Sequence, residues 1–489
     1  MTQGSIAARA AIAVVLMVGF YALALGMLVG LVYIPYAEWS YAGRLHLKLA
    51  FGCLLGAGAI ALAIVPRVDR FEDPGPELEP QRFARLFACI AGIAQRTGQA
   101  MPAQVFLVGD MNAWVAHRGG VMGFGSKRVM GIGWPLLQVL SVKQLEAVLA
   151  HEFGHYHGGD TRLGPWIYKT RSAIGRTLES LGNEGWLHLP FKWYGTLFLR
   201  LTHAVSRAQE LAADRLAAHV AGARAMIEGL KRVHAGAAAF DAYWAQEVSP
   251  VLSDGYRTPL ARGFSTFMRV ARIQTAMQSF VARELEAGET DPYDTHPALR
   301  DRIAALGGDV KDAGLEVAED GGGPAIELLG DVDAAESMLL AFLIKQSSLK
   351  PIGWDEVPET LLVPRWRSQA VSVAPILNGL ELGQLPRVVR EQKQAILKAV
   401  LTRSIPEENV PQVLAAVAGS WLVMVLLERG FTPRSPLGES HSMHRGDRCV
   451  EPFSVAAAVS DPAADAGWLE AIRAAGVEAA SLTLDPRAK

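Results

Sequence analysis

The run Ala150-His151-Glu152-Phe153-Gly154-His155-Tyr156-His157-Gly158-Gly159-Asp160 sets two histidines four residues apart with a carboxylate beside the first. On a helix, residues four apart lie one above the other on a single face, so the two imidazoles can share one tetrahedral Zn²⁺. Glu152 stands where such a site needs a general base to take a proton from the water that the metal activates. Together these residues spell metal-assisted hydrolysis. A catalytic zinc needs a third protein ligand, with the fourth position left for water. Glu210, in Ser206-Arg207-Ala208-Gln209-Glu210-Leu211-Ala212-Ala213-Asp214, is the favoured donor, because that segment is rich in alanine and leucine and reads as a helix. His203, Arg207, Glu210 and Asp214 fall on one stripe of it, and Asp214 can orient a ligand from behind. Glu179 and Glu184 stay open as alternatives, each on a less apolar stretch.

Several elements must hold these groups in place. Ser141 followed by Gln144 resembles a capping box, and Leu145, Val148 and Leu149 supply an apolar stripe, so a helix leads into His151. Gly158-Gly159 is expected to stop it. Upstream, Gln81 to Thr97 reads as a helix; Val105 to Val108 and Arg128 to Ile132 read as strands, with Val121 to Phe124 a weaker candidate. Pro135 opens a short helix before the metal helix. Helices, a small sheet and more helices imply an α+β, mainly helical catalytic unit. The linker Asp73-Pro74-Gly75-Pro76-Glu77-Leu78-Glu79-Pro80 precedes it.

The 489-residue chain has half its residues apolar and a net charge of −2. With no basic block, a nucleic-acid partner is not expected. Cys53, Cys89 and Cys449 give neither a disulfide framework nor a C-x-x-C knuckle, which favours a reducing compartment. No charged side chain occurs from Ala10 to Ala37. As a helix, Ala11 to Tyr33 reaches about 35 Å, enough for the roughly 30 Å hydrocarbon core. Leu45 to Val65 follows as a second apolar run closed by Pro66, so a transmembrane hairpin is expected. Gly26/Gly30 and Gly52/Gly56 fit the small-residue spacing of close helix contact. Arg9 before the hairpin and Arg67, Arg70, Arg82 and Arg85 after it favour both flanks inside, with the catalytic unit cytoplasmic.

The H-E-F-G-H-Y-H-G-G-D run, then S-R-A-Q-E-L-A-A-D, then Thr295-His296-Pro297-Ala298-Leu299-Arg300-Asp301-Arg302-Ile303, resembles the HtpX-like membrane metalloproteases, relatives of the CAAX prenyl proteases and of the mitochondrial inner-membrane stress protease. The likeness runs from about Arg82 to Leu306. It implies a gluzincin-type zinc metallopeptidase, with one Zn²⁺ per chain on His151, His155 and Glu210 and with Glu152 as catalytic base. It also implies an oxyanion role for His296, a pairing of Arg302 with Asp214, and a substrate-binding strand at Asn112-Ala113-Trp114 that takes up the substrate main chain as an added strand. One departure stands out. Such enzymes usually carry a further membrane hairpin between the H-E-x-x-H helix and the third ligand. Here Leu163 to Val205 is broken by Lys169, Arg171, Arg176, Glu179, Glu184, Lys192 and Arg200. Its aromatic patch, from Trp186 to Phe198, can lie on a membrane surface, cover the cleft or be a buried helix.

In the C-terminal third, Gly307 to Pro324 reads as a loop and Ala334 to Lys345 as a helix. Thr360–Val363 and Ala370–Val373 look strand-like, Pro386–Leu401 helical. Val410 to Leu427 is long and uncharged, but Pro411, Gln412 and Ser420 favour a buried core helix over a third span. Val455–Val459, Trp468–Ala475 and Ala480–Leu484 suggest a small α/β module. The stretch holding His441, His444 and Cys449 is Gly-, Ser- and Arg-rich and reads as a mobile loop rather than a metal cluster. The expected organisation is therefore a membrane anchor at 1–72, a zinc metallopeptidase domain at 73–310, a linker and helix at 311–350, and a C-terminal module at 351–489. The expected function is an integral inner-membrane zinc endopeptidase acting on membrane or misfolded proteins, with protein substrates and the lipid bilayer as partners. A non-catalytic membrane scaffold and a CAAX-type processing peptidase are the alternatives; the intact Glu152 argues against the first, the absence of a many-helix chamber against the second.

Overall fold

A computed structural model describes residues 3–65, 71–119, 125–156, 164–182, 187–287, 297–315, 322–344, 349–401, 403 and 405–485. The chain forms two compact units, Met1–Ala238 with Ala276–Lys345, and Ala239–Thr275 with Gln346–Lys489. It is mainly helical, with small sheets.

The first unit begins with two apolar helices, α1 (Gln3–Ala42) and α2 (Leu47–Ile64). Both are long and apolar enough to cross a membrane. Their mutual packing does not use the glycine spacing expected of it. A Cβ added at Gly26, Gly30 or Gly52 meets nothing within 4 Å, and only Gly56 faces neighbours, Leu187 and Leu31. Large side chains make the contact instead: Phe20, Leu31 and Ile60 are buried together with Phe191 and Phe198 from farther along the chain.

Helix α3 (Ala84–Thr97) follows and ends on Gly98 in the left-handed conformation. The sheet comprises β1 (Gln104–Val108), β2 (Ala113–Arg118) and β3 (Lys127–Gly133) in the order β1-β3-β2, with β1 parallel and β2 antiparallel to β3. The candidate strand at 121–124 lies outside the described residues. Leu78 donates to the Val105 carbonyl and Leu107 to that of Pro76, so the linker segment covers the outer edge of β1. Among the described residues no strand pairs with the outer edge of β2.

Helix α4 (Trp134–Val139) leads to α5 (Val142–Gly154), which opens with the full reciprocal capping box of Ser141 and Gln144. α5 ends at Gly154, before the glycines expected to stop it; Gly158 and Gly159 lie outside the described residues. Helices α6 (Gly164–Leu181) and α7 (His188–Ala221) complete the frame of the site.

The second unit is built around the helix Val410–Glu428, whose Val417, Ala418, Trp421, Leu422, Val425 and Leu426 are fully buried. That helix is also apolar and long enough to cross a membrane, yet 67% of its most apolar window is buried, against 22% and 33% for α1 and α2. Most of it is packed inside its own unit, the burial that its polar interruptions lead one to expect. The strand-like segments at 360–363 and 370–373 are helical: a π-helical turn Pro358–Leu362 runs into the helix Val363–Leu377. Trp366, Ala370, Val373, Ala374 and Leu377 are its buried residues, a 3.6-residue spacing that short alternating windows conceal. The stretch read as a mobile loop forms strands Ser442–Arg445 and Arg448–Val450, with Gly446 at φ 58° in the turn between them, joined by Thr432–Arg434. A positive-φ glycine between two short paired segments is a hairpin signal that the polar composition masked.

Candidate metal centre

Helices α5 and α7 approach closely because small residues face each other. A Cβ at Gly154 would stand 3.0 Å from Ala213 Cα and 3.1 Å from its Cβ. Ala213 and Ala217 are buried along that contact. The close approach brings Glu210 and Asp214, one turn apart on α7, against His151 and His155 on α5.

The donor atoms of His151, His155 and Glu210 all lie within 4.8 Å of one another, and among the described residues no other such grouping of three occurs. His151 Nε2 is 3.5 Å from Glu210 Oε2, and His155 Nε2 is 3.5 Å from Glu210 Oε1. Metal bonds of about 2.0–2.2 Å in a tetrahedron give ligand–ligand edges of roughly 3.3–3.6 Å; the two histidine-to-carboxylate distances, each to a different oxygen of Glu210, are of that size, and the three residues could hold a metal ion. The two imidazole rings stand nearly perpendicular, 85° apart, with centroids at 4.8 Å. Of the alternatives for the third ligand, Glu179 is exposed on α6, and Glu184 lies outside the described residues.

Behind the donors lies a buried ionic relay. His151 Nδ1 is 2.8 Å from Asp214 Oδ1, and Arg302 reaches both oxygens of Asp214, at 2.9 Å through Nε and 2.7 Å through Nη2. Burial alone would lower the His151 pKa, but hydrogen bonds to Asp214 and Glu210 outweigh it and raise it to about 9. Burial would raise the Asp214 pKa, and its bonds to Arg302 and His151 instead hold it below the usual carboxylate range. The side chain from 299–305 thus reaches the metal helix, as the third motif implies.

Ala113 opens β2, and Asn112 stands immediately before it. Gly133 donates to the Asn112 carbonyl, so by antiparallel alternation the backbone groups of Trp114 and Ala116 face β3, and those of Ala113 and Val115 face the free edge. The Tyr156 hydroxyl, donating to the Val115 carbonyl at 2.7 Å, agrees with that alternation. Nothing in the sequence marked Tyr156 beyond its place after His155. Arg128 stacks over its ring at 4.8 Å, and Gln99 donates to its carbonyl. Glu152 is half-buried on α5, and His296 lies outside the described residues.

Residues 80–309 match the family described as Peptidase family M48. Protease HtpX homolog 1 of Sulfurisphaera tokodaii is 36% identical over 111 residues, which is 22% of this chain and 34% of the relative. The chain therefore spans about a third of the length of the curated relative it matches. No solved structure matches the chain.

Proposed function

We propose that the protein, whose residues 80–309 match Peptidase family M48 and which is similar to an HtpX homolog over part of its length, is a membrane-anchored zinc endopeptidase with a gluzincin-type site. The convergence of His151, His155 and Glu210 beside Glu152 carries this reading. One Zn²⁺ per chain held there supplies Lewis acidity toward the attacking water and the scissile carbonyl. Glu152 takes the proton of the water and later hands it to the leaving amine. Asp214 keeps His151 turned so that Nε2 faces the other donors, and Arg302 holds Asp214. The substrate main chain adds to the free edge of β2 at Asn112 and Ala113. His296 assists the oxyanion on the strength of the resemblance alone.

In this reading residues 1–72 serve as the membrane anchor, 73–310 carry the peptidase motifs, 311–350 connect and 351–489 serve as an accessory module, with Ala239–Thr275 grouping with that module in the second compact unit. The arginines flanking the hairpin support a cytoplasmic site at the inner membrane. Membrane and misfolded proteins are the substrates. The decisive experiment is Glu152→Gln in the full chain. Zinc content should stay near one per chain, while cleavage of an unfolded protein falls by at least about a hundredfold, the lower end of general-base contributions. A variant that cleaves at the parent rate would remove Glu152 as the general base, and a parent without activity in zinc would favour a scaffold.

A further inference from the structure

Val115 turns its carbonyl to the outer edge of β2, and that carbonyl already has a donor, the Tyr156 hydroxyl at 2.7 Å. A strand added to this edge meets outward-facing backbone groups at every second residue, first at Ala113, then at Val115 and then at His117. Each of these rungs offers one N–H and one carbonyl. At Val115 the carbonyl is taken by a side chain of the protein itself.

Tyr156 is tethered by both its ring and its backbone. It follows His155 just past the end of α5, and its N–H returns to the Phe153 carbonyl at 2.9 Å. The Arg128 guanidinium lies over the ring at 4.8 Å, and the His117 ring is 5.7 Å away. Arg128 is held in turn by the Ala100 carbonyl, to which it donates at 3.0 Å, while Gln99 donates to the Tyr156 carbonyl at 3.2 Å. A phenol hydroxyl has one proton to donate, and here it goes to Val115.

We propose that Tyr156 determines specificity by occupying the Val115 rung, so that the substrate residue facing that carbonyl needs no N–H, and peptides with proline or an N-alkylated residue there are cut as readily as ordinary ones. The proposal rests on reading the β2 edge as the substrate-binding strand. A carbonyl oxygen has two lone pairs, so the strand is not turned away. The rung contributes little because its acceptor already has a short bond. Along an added strand of either direction, the N–H groups facing one edge recur at every second residue. The tolerant position therefore lies two residues from the one that pairs at Ala113. Tyr156→Phe keeps the ring against Arg128 and removes only the hydroxyl, which frees the rung.

An N-methyl scan tests this with the full chain in zinc. The probe is a peptide bracketing a cleavage site mapped in unfolded casein, methylated at one backbone nitrogen at a time, the scissile bond excepted. In the parent, methylation at the residue facing Ala113 should lower kcat/KM by about 2–10-fold, the loss of one hydrogen bond, and methylation two residues along should leave it unchanged. In Tyr156→Phe, KM for the plain peptide should fall by about 2–10-fold, and the second position should become sensitive by the same factor. Comparing the two enzymes on one peptide cancels whatever methylation does to the free peptide, and a merely structural tyrosine would change every position alike. Sensitive positions present but identical in both enzymes would overturn the role of Tyr156 alone. If the variant does not fold, the parent scan decides: two sensitive positions two residues apart overturn the proposal. A parent that cleaves with no sensitive position would end the reading of the β2 edge, and the proposal with it.

Discussion

His151 Nδ1 and Asp214 Oδ1, on two different helices, meet at 2.8 Å. One nitrogen of the imidazole is thereby committed to a carboxylate, and the other is left 3.5 Å from Glu210. A ligand ring that is held on its far side cannot rotate away from its metal.

Asp214→Asn removes the charge behind His151 while keeping the shape. Zinc affinity should weaken by about 10–100-fold, as for other partners of this kind. Competition against a chelating dye measures it, and an unchanged affinity would remove Asp214 from the account.

Arg302→Ala leaves a buried carboxylate without its bidentate partner. Breaking such a pair costs about 3–5 kcal/mol, so the midpoint of thermal unfolding of the metal-free protein should drop clearly. Adding Asp214→Asn to Arg302→Ala should restore part of the loss, because the orphaned charge is then gone. No recovery in the double variant would contradict the pairing.

The pH dependence of the metal-free protein follows from His151, whose folded pKa of about 9 lies above its ordinary 6.5. A group that binds its proton more tightly when folded contributes stability that is fully present below about pH 6.5 and is lost as pH rises toward 9. Replacing His151 by Asn should flatten that part of the thermal-stability profile. In the parent, zinc must displace the same proton. Apparent zinc affinity should rise by about tenfold per pH unit from this group between pH 7 and 9, read by titration at several pH values.

Ala113→Pro deletes an N–H that faces the free edge of β2 and takes no part in pairing with β3. Proline is tolerated at such edge positions. Zinc content should be retained, while KM for unfolded protein substrates should rise by about 2–10-fold for one lost hydrogen bond. Unaltered kinetics would place the substrate elsewhere.

Trp421→Ala addresses the long apolar helix of the second unit. Its ring is fully buried, so truncation should cost about 3–5 kcal/mol. Limited proteolysis should then cut within 351–485 well below the temperature needed for the parent. A parent-like cleavage pattern would be the behaviour of a lipid-facing span instead.

Much of this molecule was legible in local pattern. The capping box of Ser141 and Gln144, the four-residue step from His151 to His155, and the uncharged lengths of α1 and α2 each depend on a few neighbouring residues and on helix geometry. Local order states them directly. Tertiary structure decided the rest, for physical reasons that lie between segments. Glu210 is one carboxylate among several in the sequence; it reaches the two histidines because Gly154 and Ala213 let two helices nearly touch. The helix Val363–Leu377 and the hairpin 442–450 went against short-window propensity because burial around Trp421 and strand pairing are energies of the packed unit. The aromatic patch from Trp186 to Phe198 was legible too, but not which of its faces is packed. The spacing of Leu189, Trp193 and Leu197 is ordinary for any buried helix, and only the packing of Phe191, Tyr194 and Phe198 on α1 shows which apolar face remained unused.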